Sequence, residues 1–342
     1  MQSHELYIQR CIQLANKGGK EVGTNPNVGA VLVYNDTIIG EGYHYRFGEP
    51  HAEIDALNNV SESDRHKIPF ATLYVSLEPC SHHGKTPPCA HRIVQEGIKK
   101  VVIGCEDPNP KVSGKGIKYL KENGIEVISN VLERFCNQLI LPFIANLQNR
   151  PFILLKWAQS ADLYISKADT QTWLTNKKSR VLAHKLRSEC DGILIGKNTA
   201  LIDSPTLNTR YFAGTNPVII VLDSHLEAKE YYDTLRSKTM VLNKIKSKIN
   251  KSIEYIQIQD MHDIHEILHN LYSRGIYRLL VEGGSEIHRF FINSEMWDQA
   301  IVFKTKTKLF SGISAPVLDG HSEYKMYLSD DLVHFIYRER KS

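Results

Sequence analysis

The residues most able to do chemistry are His51-Ala-Glu53, then Pro79-Cys80, then Cys89, which bring together one imidazole, one carboxylate and two thiols. An imidazole and two thiolates supply three ligands for tetrahedral zinc and leave the fourth position to water. The metal acidifies that water. Glu53, two residues beyond the histidine, is expected to carry its proton as general acid and base, not to ligate. A purely structural zinc wants four protein ligands. No C-x-x-C is present, and His82 is a possible fourth ligand, although substrate contact is the favoured reading for it. Cys11, Cys105, Cys136 and Cys190 stand in apolar settings and are expected in the core.

These residues need elements to hold them. Tyr7, Ile8, Cys11, Ile12, Leu14 and Ala15 follow helical spacing over residues 4–17, with Ser3 as cap and Gly18-Gly19 as stop. Gly29–Val33 and Thr37–Ile39, joined at Asn35-Asp36, predict a β-hairpin. Residues 51–59 and 89–97 read as helices, and 72–76 and 101–104 as short apolar strands. The alternation of strand and helix indicates an α/β sandwich. After the polar, proline-terminated stretch 146–151, a second α/β region is expected. Its strands are placed at 152–156, 192–195, 218–222, 239–242, 253–258, 278–281 and 300–304, and its helices at 176–190, 261–274 and 285–293.

The length of 342 residues exceeds what a single hydrophobic core usually serves. A charged fraction of 23% and a hydrophobic fraction of 42% exclude disordered and collagen-like classes. The net charge of +4 is diffuse, so no nucleic-acid partner is expected. No apolar run approaches a membrane span, and Met1–Glu5 lacks the start of a signal peptide, which leaves no membrane partner and a cytoplasmic location as the expectation. Gly84-Lys85-Thr86 ends like a phosphate loop, but Pro79 stands where its first glycine belongs. Gly114-Lys115-Gly116 reads as a loop turn, because Tyr119 replaces the third glycine of a dinucleotide fingerprint.

The zinc residues follow the H-x-E…P-C-x-x-C pattern of nucleobase deaminases, except that eight residues, 81–88, separate the cysteines. With Asn25-Pro-Asn-Val-Gly29, Leu77-Glu-Pro-Cys-Ser-His-His-Gly-Lys-Thr-Pro-Pro-Cys89 and Asp107-Pro-Asn-Pro110, the chain resembles the bifunctional pyrimidine deaminase and reductase family of riboflavin biosynthesis. The resemblance implies a cytidine-deaminase-like three-layer α/β/α zinc domain over 1–147 and a dihydrofolate-reductase-like α/β domain over 148–342. It implies a phosphorylated pyrimidine substrate that loses its 2-amino group, contacted by Asn25, His44, His82, Lys85, Thr86, Asp107 and Asn109. A homo-oligomer is the expected assembly.

The resemblance continues through Lys156–Asp162, Trp173-Leu-Thr175, Asp191–Gly196, Val221-Leu-Asp-Ser224 and Val281-Glu-Gly-Gly284. It implies NADPH as cofactor, held by Ala158, Trp173, Thr199, Asp203, Ser224, Gly284 and Ser285. The second substrate is then contacted by Lys156, Gln171, Arg187, Leu207, Arg210 and Glu282. By residue chemistry, Gly283-Gly284 admits a phosphate to the backbone, and the helix from Ser285 offers free amides to it. The chain departs from the family at Leu163 and Asn198, where glycine is usual, and at Gln171, where serine is. Two alternatives stay open: an active deaminase with a catalytically impaired second domain, and a nonenzymatic zinc-stabilised binding protein.

Overall fold

Helix α1 (Ser3–Ala15) buries Ile8, Cys11 and Leu14 along one face and lies on β1 (Gly29–Tyr34). Contact there is so close that a methyl on Gly29 would stand 2.1 Å from the Cys11 carbonyl oxygen. The computed structural model describes residues 3–81, 87–110, 112–167, 172–318 and 322–338. The chain divides into two units, Met1–Gln148 and Asn149–Ser342, each with its own apolar core.

In the first unit β1 turns into β2 (Thr37–Tyr43) through Asn35 and Asp36, both at positive φ (45° and 58°), as a two-residue hairpin turn demands. There follow α2 (Ala52–Asn58), a 3-10 helix (Glu62–Phe70), β3 (Thr72–Leu77), α3 (Cys89–Gln95), β4 (Lys100–Cys105), α4 (Lys115–Glu122), β5 (Glu126–Ile128), α5 (Glu133–Leu139) and α6 (Leu141–Leu147). The sheet order is β2-β1-β3-β4-β5, antiparallel through β3 and parallel from β3 onward. Gly114-Lys115-Gly116 is a helix start rather than a loop turn: Gly114, at φ 72°, caps α4, and Gly116 lies in its first turn. Cys11, Cys105 and Cys136 are buried here, as is Cys190 in the second unit.

The second unit runs β6 (Phe152–Gln159), β7 (Tyr164–Ser166), α7 (Lys177–Ser188), β8 (Gly192–Gly196), α8 (Lys197–Asp203), β9 (Val218–Leu222), α9 (Lys229–Thr234), β10 (Thr239–Asn243), β11 (Lys248–Asn250) and β12 (Ile253–Gln257). It continues with α10 (Ile264–Tyr272), β13 (Arg278–Val281), α11 (Ser285–Asn293), β14 (Gln299–Lys304), β15 (Ile313–Ser314), β16 (Ser322–Leu328) and β17 (Asp331–Tyr337). The main sheet has the order β11-β12-β10-β9-β8-β13-β6-β14-β17-β16. Its centre, β12 to β14, is parallel, and antiparallel strands close both ends. Parallel strands covered on both faces read as unbroken apolar runs, which is why Ile193–Ile195 and Ile219–Leu222 carry no alternation. Side-chain caps set two helix starts: Asn176 accepts from the Ser179 amide, and Asp263 from those of His265 and Glu266. The second cap moves the start of α10 later than the expected 261.

Candidate metal centre and cofactor cavity

Helix α2 is seated by two contacts. A methyl on Gly42 would stand 2.2 Å from the Ala56 nitrogen, so β2 and α2 meet at a distance only glycine permits, and the Asp55 carboxylate accepts the Tyr43 amide at 3.0 Å. His51 precedes the helix and Glu53 sits in its first turn. Cys80 follows β3 and Cys89 opens α3, with the Cys89 amide donating to the Cys80 sulfur at 3.3 Å.

The His51 Nδ1 atom lies 3.6 Å from the Cys80 sulfur and 3.3 Å from that of Cys89. Bonds of about 2.3 Å to sulfur and 2.0–2.1 Å to nitrogen put tetrahedral ligand atoms roughly 3.5–3.8 Å apart, so this triangle fits zinc. Among the described residues it is the one such cluster of histidine, cysteine and acidic groups. Hydrogen bonding by Cys89 lowers the Cys80 thiol to about 4, and hydrogen bonding to Cys80 raises His51 to about 9. Near neutral pH Cys80 is then already a thiolate, and the proton on His51 is the one a divalent cation displaces. Glu53 is 3% exposed, and burial pushes its carboxyl up to about 7. That value suits proton transfer near neutrality.

Asn25 and His44 reach the same place. The Asn25 Nδ2 lies 3.1 Å from His44 Nε2, His44 Nδ1 faces the Pro50 carbonyl at 3.0 Å, and the His44 ring stands edge-on to His51 at 5.5 Å. Asp107 and Asn109 form a turn after β4, with the Asn109 amide donating to the Asp107 carboxylate at 2.8 Å. His82, Lys85 and Thr86 lie outside the described residues, as does Gln171. Cys80→Ser and Cys89→Ser are each expected to weaken zinc more than about 100-fold, beyond the usual cost of losing an outer-shell partner. Chelator competition reads this, and full zinc retention in both variants would remove them from the ligand set.

The second unit contains a cavity of about 850 Å³ lined by Lys156, Ala158, Trp173, Arg187, Thr199, Asp203, Ser224, Glu282, Gly284 and Ser285. Leu207, buried, and Arg210, bonded to Thr206 and Asn208, fall outside that lining. At the cavity wall Arg187 donates to both Glu282 oxygens (3.1 and 2.7 Å), and the Lys156 Nζ lies 4.0 Å from Glu282. Burial opposes the charge on Glu282, but Arg187 and Lys156 hold the carboxyl at about 2. The Gly284 amide donates to Thr199 Oγ1 at 3.0 Å, and a methyl on Gly284 would meet only that oxygen, at 3.5 Å. The cradle is open to a nucleotide phosphate, so the residues fit the cofactor.

Sequence reasoning passed over Lys197 and His288, which line the same cavity as Asn198. His288 faces the Lys156 and Val281 carbonyls at 3.1 and 3.2 Å. Its signal was its place four residues after Gly284, one helical turn along α11. Leu163 takes φ 67°, the conformation that favours glycine, and is 59% exposed. That backbone costs a side-chain-bearing residue roughly 1–2 kcal/mol, against about 0.5–1 kcal/mol for glycine's extra freedom when unfolded. Leu163→Gly is therefore expected to raise stability slightly, by about 0.5–1 kcal/mol, in urea unfolding. A loss of stability would contradict the strain.

Residues 1–105 match the family model described as the cytidine and deoxycytidylate deaminase zinc-binding region, and residues 151–305 match the RibD C-terminal domain. A zinc-dependent deaminase unit followed by a reductase unit is the class of protein that fold and sites define. The chain is 37% identical over 318 residues to riboflavin biosynthesis protein RibD of Aquifex aeolicus, covering 90% of this chain and 88% of that one. It is similar to the crystal structure of a diaminohydroxyphosphoribosylaminopyrimidine deaminase/5-amino-6-(5-phosphoribosylamino)uracil reductase from Thermotoga maritima, with a TM-score of 0.83 at 35% identity over 98% of each chain. It is also similar to Acinetobacter baumannii RibD, form 1, with a TM-score of 0.77 at 29% identity over 99% of each chain. The chain belongs to the RibD family of riboflavin biosynthesis. It is a bifunctional deaminase and reductase with zinc and NADPH as its cofactors.

Proposed function

We propose that this chain hydrolytically deaminates 2,5-diamino-6-ribosylamino-4(3H)-pyrimidinone 5′-phosphate and then reduces the ribosyl group of the product to ribityl. The observation that carries this reading is the triangle of His51, Cys80 and Cys89 beside the buried Glu53. Bound zinc supplies a water acidic enough to attack near neutral pH, and bound NADPH supplies the hydride. Glu53 takes one proton of the attacking water and passes it to a ring nitrogen, then takes the second from the hydroxyl added to the ring carbon and gives it to the amine, which departs as ammonia as the C–N bond breaks and the carbonyl forms. Asn25 and His44 orient the base, while Asp107 and Asn109 hold the base or ribose and His82, Lys85 and Thr86 the phosphate.

In the second unit Ala158, Trp173, Thr199, Asp203, Ser224, Gly284 and Ser285 hold NADPH. Lys156, Arg187 and Glu282 meet the ribosyl substrate, with Gln171, Leu207 and Arg210 completing its site. Arg187 is already fixed by its two bonds to Glu282, so it is pre-oriented for an anion. The six free cysteines and a thiolate metal site suit a reducing cytoplasm, and among the described residues no helix is long and apolar enough to cross a membrane. A homo-oligomer is the assembly we propose; edge strand β16 exposes Tyr324 and Tyr327 as surface for it, and light scattering reads the mass. Mass spectrometry of the pyrimidine phosphate, incubated with and without NADPH, tests the function. Exchange of amine for oxygen is expected without NADPH, and a gain of two hydrogens only with it. Deamination without any reduction would leave the second unit catalytically silent.

A further inference from the structure

Glu78 lies in the Leu77-Glu-Pro-Cys80 stretch, two residues before a zinc ligand, and is 5% exposed. Its side chain reaches the backbone of the segment after β4. One carboxylate oxygen accepts the amides of Asp107 (3.1 Å) and Gly114 (3.0 Å), and the other accepts those of Gly116 (2.8 Å) and Ile117 (3.1 Å). A single oxygen thus clasps both ends of the 107–114 loop, and its companion holds the first turn of α4. Within the loop, the Val112 and Ser113 amides donate to the Asn109 carbonyl, each at 2.9 Å. The fit continues at Pro79, whose carbonyl oxygen would stand 2.0 Å from a methyl on Gly116.

We infer that Glu78 is a positioning residue for deamination: it sets Asp107 and Asn109 at a fixed distance from the metal, because Glu78-Pro79-Cys80 anchors the substrate loop and the ligand with three consecutive residues. The inference rests on the reading of Asp107 and Asn109 as substrate contacts. A glutamate is needed because only a carboxylate offers two acceptor oxygens; glutamine would turn an N–H₂ toward two of these amides, setting donor against donor.

The test is Glu78→Gln in the full chain, with zinc content, deaminase kcat and KM, and reductase activity measured together. Zinc and reduction are expected to be unchanged and kcat to stay within about threefold, while KM for the pyrimidine phosphate rises roughly tenfold or more. A KM within twofold of the parent overturns the inference, and so does an equal fall in kcat at constant KM, which would place Glu78 behind the reacting atoms instead of the loop. If Glu78→Gln loses zinc, Glu78→Asp, which keeps both oxygens on a shorter arm, is measured in its place. A raised KM with zinc retained then supports the role, and loss of zinc there too overturns it in favour of a purely architectural one. Asp107→Ala and Asn109→Ala separate the two readings. If they raise KM and the Glu78 variants do not, positioning fails alone; if neither raises KM, the loop is not a substrate contact and both readings fall.

Discussion

Glu53→Gln is expected to lower deaminase kcat by roughly 10³-fold or more while zinc content and NADPH-dependent reduction stay at the parent level. Glutamine keeps the size and the hydrogen-bonding reach of the buried side chain, so α2 and its neighbour His51 have no reason to move. What disappears is the ability to take a proton from the water and return it to the leaving amine. The metal triangle is complete without this residue, since the histidine and both sulfurs already stand within 4.8 Å of one another. Zinc content and single-turnover deamination therefore answer different questions in one variant. A loss of zinc would make Glu53 a ligand, and a rate within tenfold of the parent would move the proton shuttle elsewhere.

Glu282→Gln is expected to destabilise the second unit by roughly 3–5 kcal/mol and to abolish reduction, because it leaves Arg187 and Lys156 as buried cations facing a neutral amide. The parent should show the matching pH dependence. The Glu282 carboxyl is held at about 2, below its ordinary 4.5, so its stabilisation is fully present above pH 4.5 and is lost as the pH falls through 2. Urea unfolding of the second unit at a series of pH values reads both effects. The variant should lose less stability over that acid range than the parent, since it has no proton to gain there. A difference near pH 7 of less than about 1 kcal/mol would show the cluster to be solvated and the pairing weak.

Much of the candidate metal site was legible because its chemistry is written in residue type and spacing. The histidine, glutamate and cysteines announce themselves, and the helix over 285–293 was read with its observed bounds from its apolar rhythm. What escaped is held by backbone. Glu78 was visible as part of a run of quoted residues, but its four partners are main-chain amides about 30 to 40 positions away, and amides have no letter in a sequence. Gly114 and Gly116 read as a turn because glycine is ambiguous until the neighbour it touches is known. Strands β16 and β17 were missed for another reason: β17 is an inner strand that buries Asp331 and His334 along with Val333, so its pattern is neither alternating nor uniformly apolar. Leu207 and Arg210 rest on resemblance alone: their loop meets α7 where the Arg187 guanidinium donates to the Asn208 carbonyl at 3.1 Å, beyond the residues that line the cavity.

Each unit encloses its own apolar core, and the division between them falls at one peptide bond, after Gln148. A chain built this way has two cooperative melting units, so a single Tm does not describe it. Calorimetry should resolve two endotherms, and mass action assigns them without any turnover: added zinc raises the temperature of one, added NADPH that of the other. The separate cores thus give each cofactor its own thermometer within one polypeptide.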